Sequence, residues 1–92
     1  MAFNLFIAYD LMNPGQNYDQ VRDQIKGLGQ WAQIQYSMFY VHTVLNPQQA
    51  HDHIRLVMDT NDRLAVIEAN SAVITVYPKA TIDAINNVWF AN

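Results

Sequence analysis

The sequence predicts an α+β domain: one β-sheet with helices against it, in the order β-α-β-β-α-β, followed by a further strand and a short helix. Three observations carry this. Apolar, β-branched and aromatic runs bounded by turn signals recur at 3–9, 31–44, 64–69 and 72–77. Between them, 18–28 and 47–58 carry apolar residues at the helical period. A chain of 92 residues makes a single domain that buries about 60–65% of its unfolded surface, enough for one modest core.

The first strand, 3–9, is almost wholly apolar and stops at one carboxylate, Asp10. A strand apolar on both faces must be covered on both faces, so it is expected at the centre of the sheet, with Asp10 at the rim. Asn13-Pro14-Gly15 is turn chemistry, because Pro fixes φ and Gly accepts φ > 0. Asn17 is placed to cap the first helix, with Gln20 at the capping-box position. Tyr18, Val21, Ile25 and Leu28 form its apolar stripe, and Gly29 is expected as the C′ residue.

The run 31–44 is too long for one ordinary strand. It is expected to fold as a hairpin split near Tyr36-Ser37, or as one long strand with a bulge at Ser37. Asn46-Pro47 is a helix entry, with Asn46 at the N-cap and Pro47 at N1. Ala50, Ile54, Val57 and Met58 would face the core. After a polar turn at 59–62 comes a strand at 64–69, expected with the first strand to form the buried pair of the sheet. A last strand at 72–77 ends at Pro78, and Thr81 is an N-cap candidate for a terminal helix that buries Ile82, Ile85, Val88 and Trp89.

This order is that of a ferredoxin-like sandwich, one sheet with two helices on one face. The other face would carry aromatics and Met, and cover from a second copy of the chain is expected. Composition agrees: 51% of residues are hydrophobic and only 14% charged, against a usual charged share of about 25%. Such a domain hides apolar surface in a partner, most simply itself. The net charge of -3 argues against a strong electrostatic grip on nucleic acid. The absence of Cys excludes a disulfide framework, a thiolate zinc site and a cysteine nucleophile. No stretch has the length and apolarity of a membrane span and no signal-peptide pattern is seen, so a cytoplasmic protein without a membrane partner is expected.

The segments Ile7-Ala8-Tyr9-Asp10, Leu28-Gly29, Gln35-Tyr36-Ser37-Met38-Phe39, and Asp62 before an apolar strand resemble the CRISPR-associated Cas-two family and its VapD relatives. The pattern is most similar to a small SinR-like bacterial branch. Its marks here are Tyr9-Asp10-Leu11, Pro14-Gly15, Tyr18, Gly29-Gln30-Trp31, Ser37 and Asn61-Asp62. The resemblance covers about the first seventy residues and implies a ferredoxin-like homodimer packed sheet to sheet, with the last strand often paired onto the other protomer. In members with nuclease activity the aspartate ending the first strand lies near its dimer mate and binds a divalent ion. Here that residue is Asp10, the implied catalytic residue and metal ligand, with Tyr9, Ser37 and Phe39 as implied neighbours. Two carboxylates across a dyad suit Mg²⁺ or Mn²⁺, and RNA or DNA is the implied substrate. One departure is plain: 11–17 carries no positive charge, where Cas-two chains have basic residues. The alternative is a non-catalytic dimeric module in a defence, phage or toxin–antitoxin setting, binding a protein through a sheet edge or a nucleic acid.

Read from the residues alone, Asp10 serves equally as a loop cap, and Ser37 as a bend residue with no activating base in sight. Tyr36, Phe39 and Tyr40 could stack on unpaired bases or pack in a dimer. His51 and His53 stand two apart on a helix and do not share a face, so they are not a helical zinc pair.

Overall fold

A computed structural model describes residues 2–12 and 18–90. The expected turn at Asn13-Pro14-Gly15 and the expected cap Asn17 lie outside the described residues. The elements are β1 (Phe3–Asp10), α1 (Tyr18–Lys26), β2 (Gly29–Gln35), β3 (Met38–Thr43), α2 (Pro47–Arg55), β4 (Arg63–Glu68) and α3 (Lys79–Trp89). The four strands form one antiparallel sheet in the order β2-β3-β1-β4. This α+β arrangement is compatible with a ferredoxin-like fold. No helix among the described residues is long and apolar enough to cross a membrane.

Alternation along β1 sets the two faces. Leu5, Ile7 and Tyr9 point into the main core, which α1 fills with Val21 and Ile25 and α2 with Ala50 and Ile54. The α2 entry is as expected: Asn46 Oδ1 accepts the Gln49 N–H at 2.8 Å, and Gln49 Oε1 accepts the Asn46 N–H at 3.0 Å. The hairpin also forms. Tyr36-Ser37 joins β2 to β3 with Gln35 opposite Met38, and the register shifts between Gln33 and Gln35 rather than at Ser37.

Five expectations are corrected. The central strands are β1 and β3, not β1 and β4, because β4 pairs with β1 alone and leaves Ala65 and Ile67 exposed on an edge. Residues 72–77 are not a strand; they pair with no strand among the described residues, and Val76 takes φ 65. Pro78, not Thr81, is the N-cap of α3, and no side chain caps that helix. Gly29 is not the C′ residue of α1 but the first residue of β2, opposite Thr43. The second face of the sheet is not wholly open: α3 packs on β2 and β3, and Ile85, Val88 and Trp89 join Ala32, Tyr40, Phe6 and Ile34 in a second core. Segment 72–77 lies over the same face, against Phe6 and Ile67.

Candidate functional site

The C-terminal end of β1 meets the β2–β3 turn, the start of α1 and the turn before β4. Asp10 is exposed there, on the same strand parity as Phe6 and Ala8, and it stands opposite Arg63 of β4. Its carboxylate has no hydrogen bond or ion pair among the described residues. The Tyr9 N–H donates to the Ser37 carbonyl at 3.1 Å, which ties the hairpin turn to the rim. Asp10 and half-buried Ser37 thus share one end of the sheet.

Tyr9 and Phe39 do not join them. Strand alternation turns both rings into the main core, where Tyr9 keeps 4% of its surface and Phe39 none. Burial pushes the Tyr9 phenol up to about 12, opposed by the nearby Arg22 charge. Its hydroxyl reaches the Tyr36 carbonyl at a long 3.4 Å. Tyr40 is equally buried, so neither it nor Phe39 is available to stack on a base. Burial raises the Tyr40 phenol too. Its hydroxyl donates to Asn4 Oδ1 at 2.8 Å, and His42 Nδ1 meets the same oxygen at 2.9 Å.

Four further residues, Asp62, Arg55, Arg22 and Tyr36, shape this rim. Asp62, 6% exposed, accepts the Met12 N–H at 2.9 Å and the Asp59 N–H at 2.8 Å. Arg55 spans the same turn, donating to the carbonyls of Asp59 and Asp62 at 2.8 Å each. Arg22 lies over the Tyr36 ring at 5.3 Å from its centroid. The Tyr36 side chain beside it holds the guanidinium above its ordinary pKa. Tyr36 itself is 64% exposed. A polar Asn-Asp turn before a strand was the legible sign of Asp62. Nothing local in the sequence pairs Arg22 with Tyr36.

Asp10 is the exposed carboxylate of this rim. No group of three or more His, Asp or Glu that could hold an ion occurs among the described residues. Asp62 is the buried carboxylate of the same rim, and its oxygens hold backbone amides.

Across the second face lies an apolar groove of about 510 Å³ between the sheet and 72–77, reaching residues of all four strands. Phe6, Met38, Ile67 and Ile74 line it, with Tyr77 at its side. The Tyr77 hydroxyl accepts from Gln35 Nε2 at 2.8 Å.

No family model, curated protein or solved structure matches this chain.

Proposed function

We propose that the chain acts as a homodimer that hydrolyses phosphodiester bonds in RNA or DNA, with Asp10 of each copy as the ligand of a shared Mg²⁺ or Mn²⁺. The observation that carries this reading is the exposed Asp10 carboxylate at a rigid strand end, beside Arg63 on the neighbouring strand. A hard divalent ion bound by carboxylates would supply Lewis-acid polarisation of phosphate and a nucleophilic water. Arg63 would neutralise the phosphate, the role for which 11–17 supplies no cation. The Tyr9–Ser37 hydrogen bond would keep the two sides of the rim in register.

Dimerisation has support of its own. Strand β4 presents an unpaired edge. Ile67, Val73 and Val76 are exposed. The β-favouring segment 72–77 has no strand partner among the described residues. Pairing of 72–77 onto β4 of a second copy would satisfy both. The same apolar edge favours a second reading, a non-catalytic module that binds a protein by strand addition.

The test is cleavage of labelled single-stranded RNA and DNA with Mn²⁺, with EDTA, and by Asp10→Ala, alongside light scattering on each variant. Divalent-dependent cleavage that is lost in Asp10→Ala while the dimer persists is the expected result. Cleavage that survives the substitution removes Asp10 from the site. A dimer without cleavage moves the assignment to the interaction module.

A further inference from the structure

The edge formed by α1 and β2 carries two cation–aromatic pairs. The Arg22 guanidinium lies 5.3 Å from the Tyr36 ring centroid, and Lys26 Nζ lies 4.5 Å from that of Trp31. Arg22 and Lys26 are one turn apart on one face of α1, about 6 Å along its axis. Trp31 lies in β2 and Tyr36 in the turn that follows it, five residues on, at most roughly 16 Å away along the chain. The two residues are part-open to solvent, at 41% and 64%, with the Tyr18 ring centroid 5.2 Å from that of Tyr36 and the Phe39 ring meeting Trp31 edge-on at 5.9 Å. The Tyr36 end of this line lies at the turn that meets the Asp10 rim through the Tyr9–Ser37 hydrogen bond.

We propose that this edge is a track for single-stranded nucleic acid, in which Tyr36 and Trp31 stack on unpaired bases while Arg22 and Lys26 take the flanking phosphates. The assignment deepens the proposed function and rests on it for the direction in which the strand leads, toward Asp10. Exposed aromatics with cations beside them are the chemistry by which single strands are held without sequence preference. Arg22, whose side chain is 21% exposed, already pairs with Asp19, whose side chain is 83% exposed. With one partner so open to water the pair is weak, and a phosphate would compete with Asp19.

Two of the five basic residues lie on this track, so binding is expected to be weak and salt-dependent. Two phosphate contacts give a slope of about -1.4 in log affinity against log salt, since each contact on a single strand contributes roughly -0.7.

The test is anisotropy of a labelled 12-mer oligouridylate in EDTA with the Asp10→Ala protein, which separates binding from cleavage. Tyr36→Ala is expected to weaken binding about tenfold, and Arg22→Gln to reduce the slope to about -0.7. Trp31→Phe keeps a stacking ring and the fold, and is expected to weaken binding less than Tyr36→Ala. Unchanged affinity in both Tyr36→Ala and Arg22→Gln, or equal affinity for a duplex of the same length, overturns the track and leaves the role of Asp10 to the cleavage assay. No binding at low salt also overturns it. Absence of cleavage together with track-dependent binding would instead remove the nuclease reading and keep the track.

Discussion

Asp62 Oδ1 accepts the backbone N–H of Met12 at 2.9 Å, across fifty residues of sequence. With its other oxygen the same carboxylate holds the Asp59 N–H. One buried acid therefore closes the turn before β4 and fastens the chain leaving β1, which places the backbone next to Asp10. Hydrogen bonds to a charged group contribute about 1.5–3 kcal/mol each, and amides left bare and buried cost more than a bond forgone. Asp62→Ala is expected to lower stability by about 2–3 kcal/mol in urea denaturation, with faster hydrogen exchange at Met12. Asp62→Asn keeps one accepting oxygen and is expected to lose about half as much.

The two glycines after α1 should respond in opposite directions. A Cβ on Gly29 would stand 2.2 Å from the His42 carbonyl oxygen, a backbone atom of the paired strand that cannot swing away. Gly29→Ala is expected to cost about 3 kcal/mol through displacement of β2 from β3. A Cβ on Gly27 would meet the Asp23 and Gln24 carbonyl oxygens at 3.5 and 3.6 Å, ordinary contacts. Gly27→Ala is expected to stabilise by about 0.5 kcal/mol, because it restricts the unfolded chain. Thermal melts of the two variants check the contrast.

Tyr9 gives stability a pH dependence on the alkaline side. Its folded-state pKa is raised by burial to about 12, above the value of 10.0 for the free side chain. The native state thus holds a proton that the unfolded chain has released between these values. This contribution is fully present below pH 10 and is lost as pH rises through about 12. Tyr40 acts in the same sense. Urea midpoints measured from pH 8 to 11 are expected to fall above pH 10, and Tyr9→Phe should flatten that fall.

Val76 is 98% exposed and holds φ 65, a conformation that burdens a β-branched residue. Left-handed backbone costs such a residue about 1–2 kcal/mol, and Asn tolerates it far better. Val76→Asn is expected to stabilise the monomer by up to about 1 kcal/mol. If 72–77 extends on pairing with a second copy, the same substitution weakens that pairing, because Asn is a poor strand residue. Denaturation at low concentration and light scattering at high concentration read the two effects separately.

Where a residue pattern expressed a local preference, the fold was legible in it. Tyr18, Val21 and Ile25 mark α1 by spacing alone, Asn46-Pro47 opens α2 through capping chemistry, and Tyr36-Ser37 divides two strands whose combined length exceeds one. Residues 72–77 show the limit of this logic. Their β-propensity is high, but a strand exists only with a partner edge, and 72–77 lies over the second face with Ile74 packed into the second core instead of along an edge. The apolarity of β4 misled for a related reason: composition does not tell a strand paired on two sides from an edge strand awaiting cover.

The candidate site divides along the same line. The sequence by itself determined that a carboxylate, Asp10, would end an apolar strand at the rim, because the change from apolar to polar is written locally. Only the tertiary structure decided that Tyr9 and Phe39 turn inward, since strand parity has meaning only once the core lies on a known side. It alone brought Asp62 to Met12, Arg63 beside Asp10, and Arg22 over Tyr36. Those contacts join segments far apart in the chain, and their energy arises from packing that no local pattern encodes.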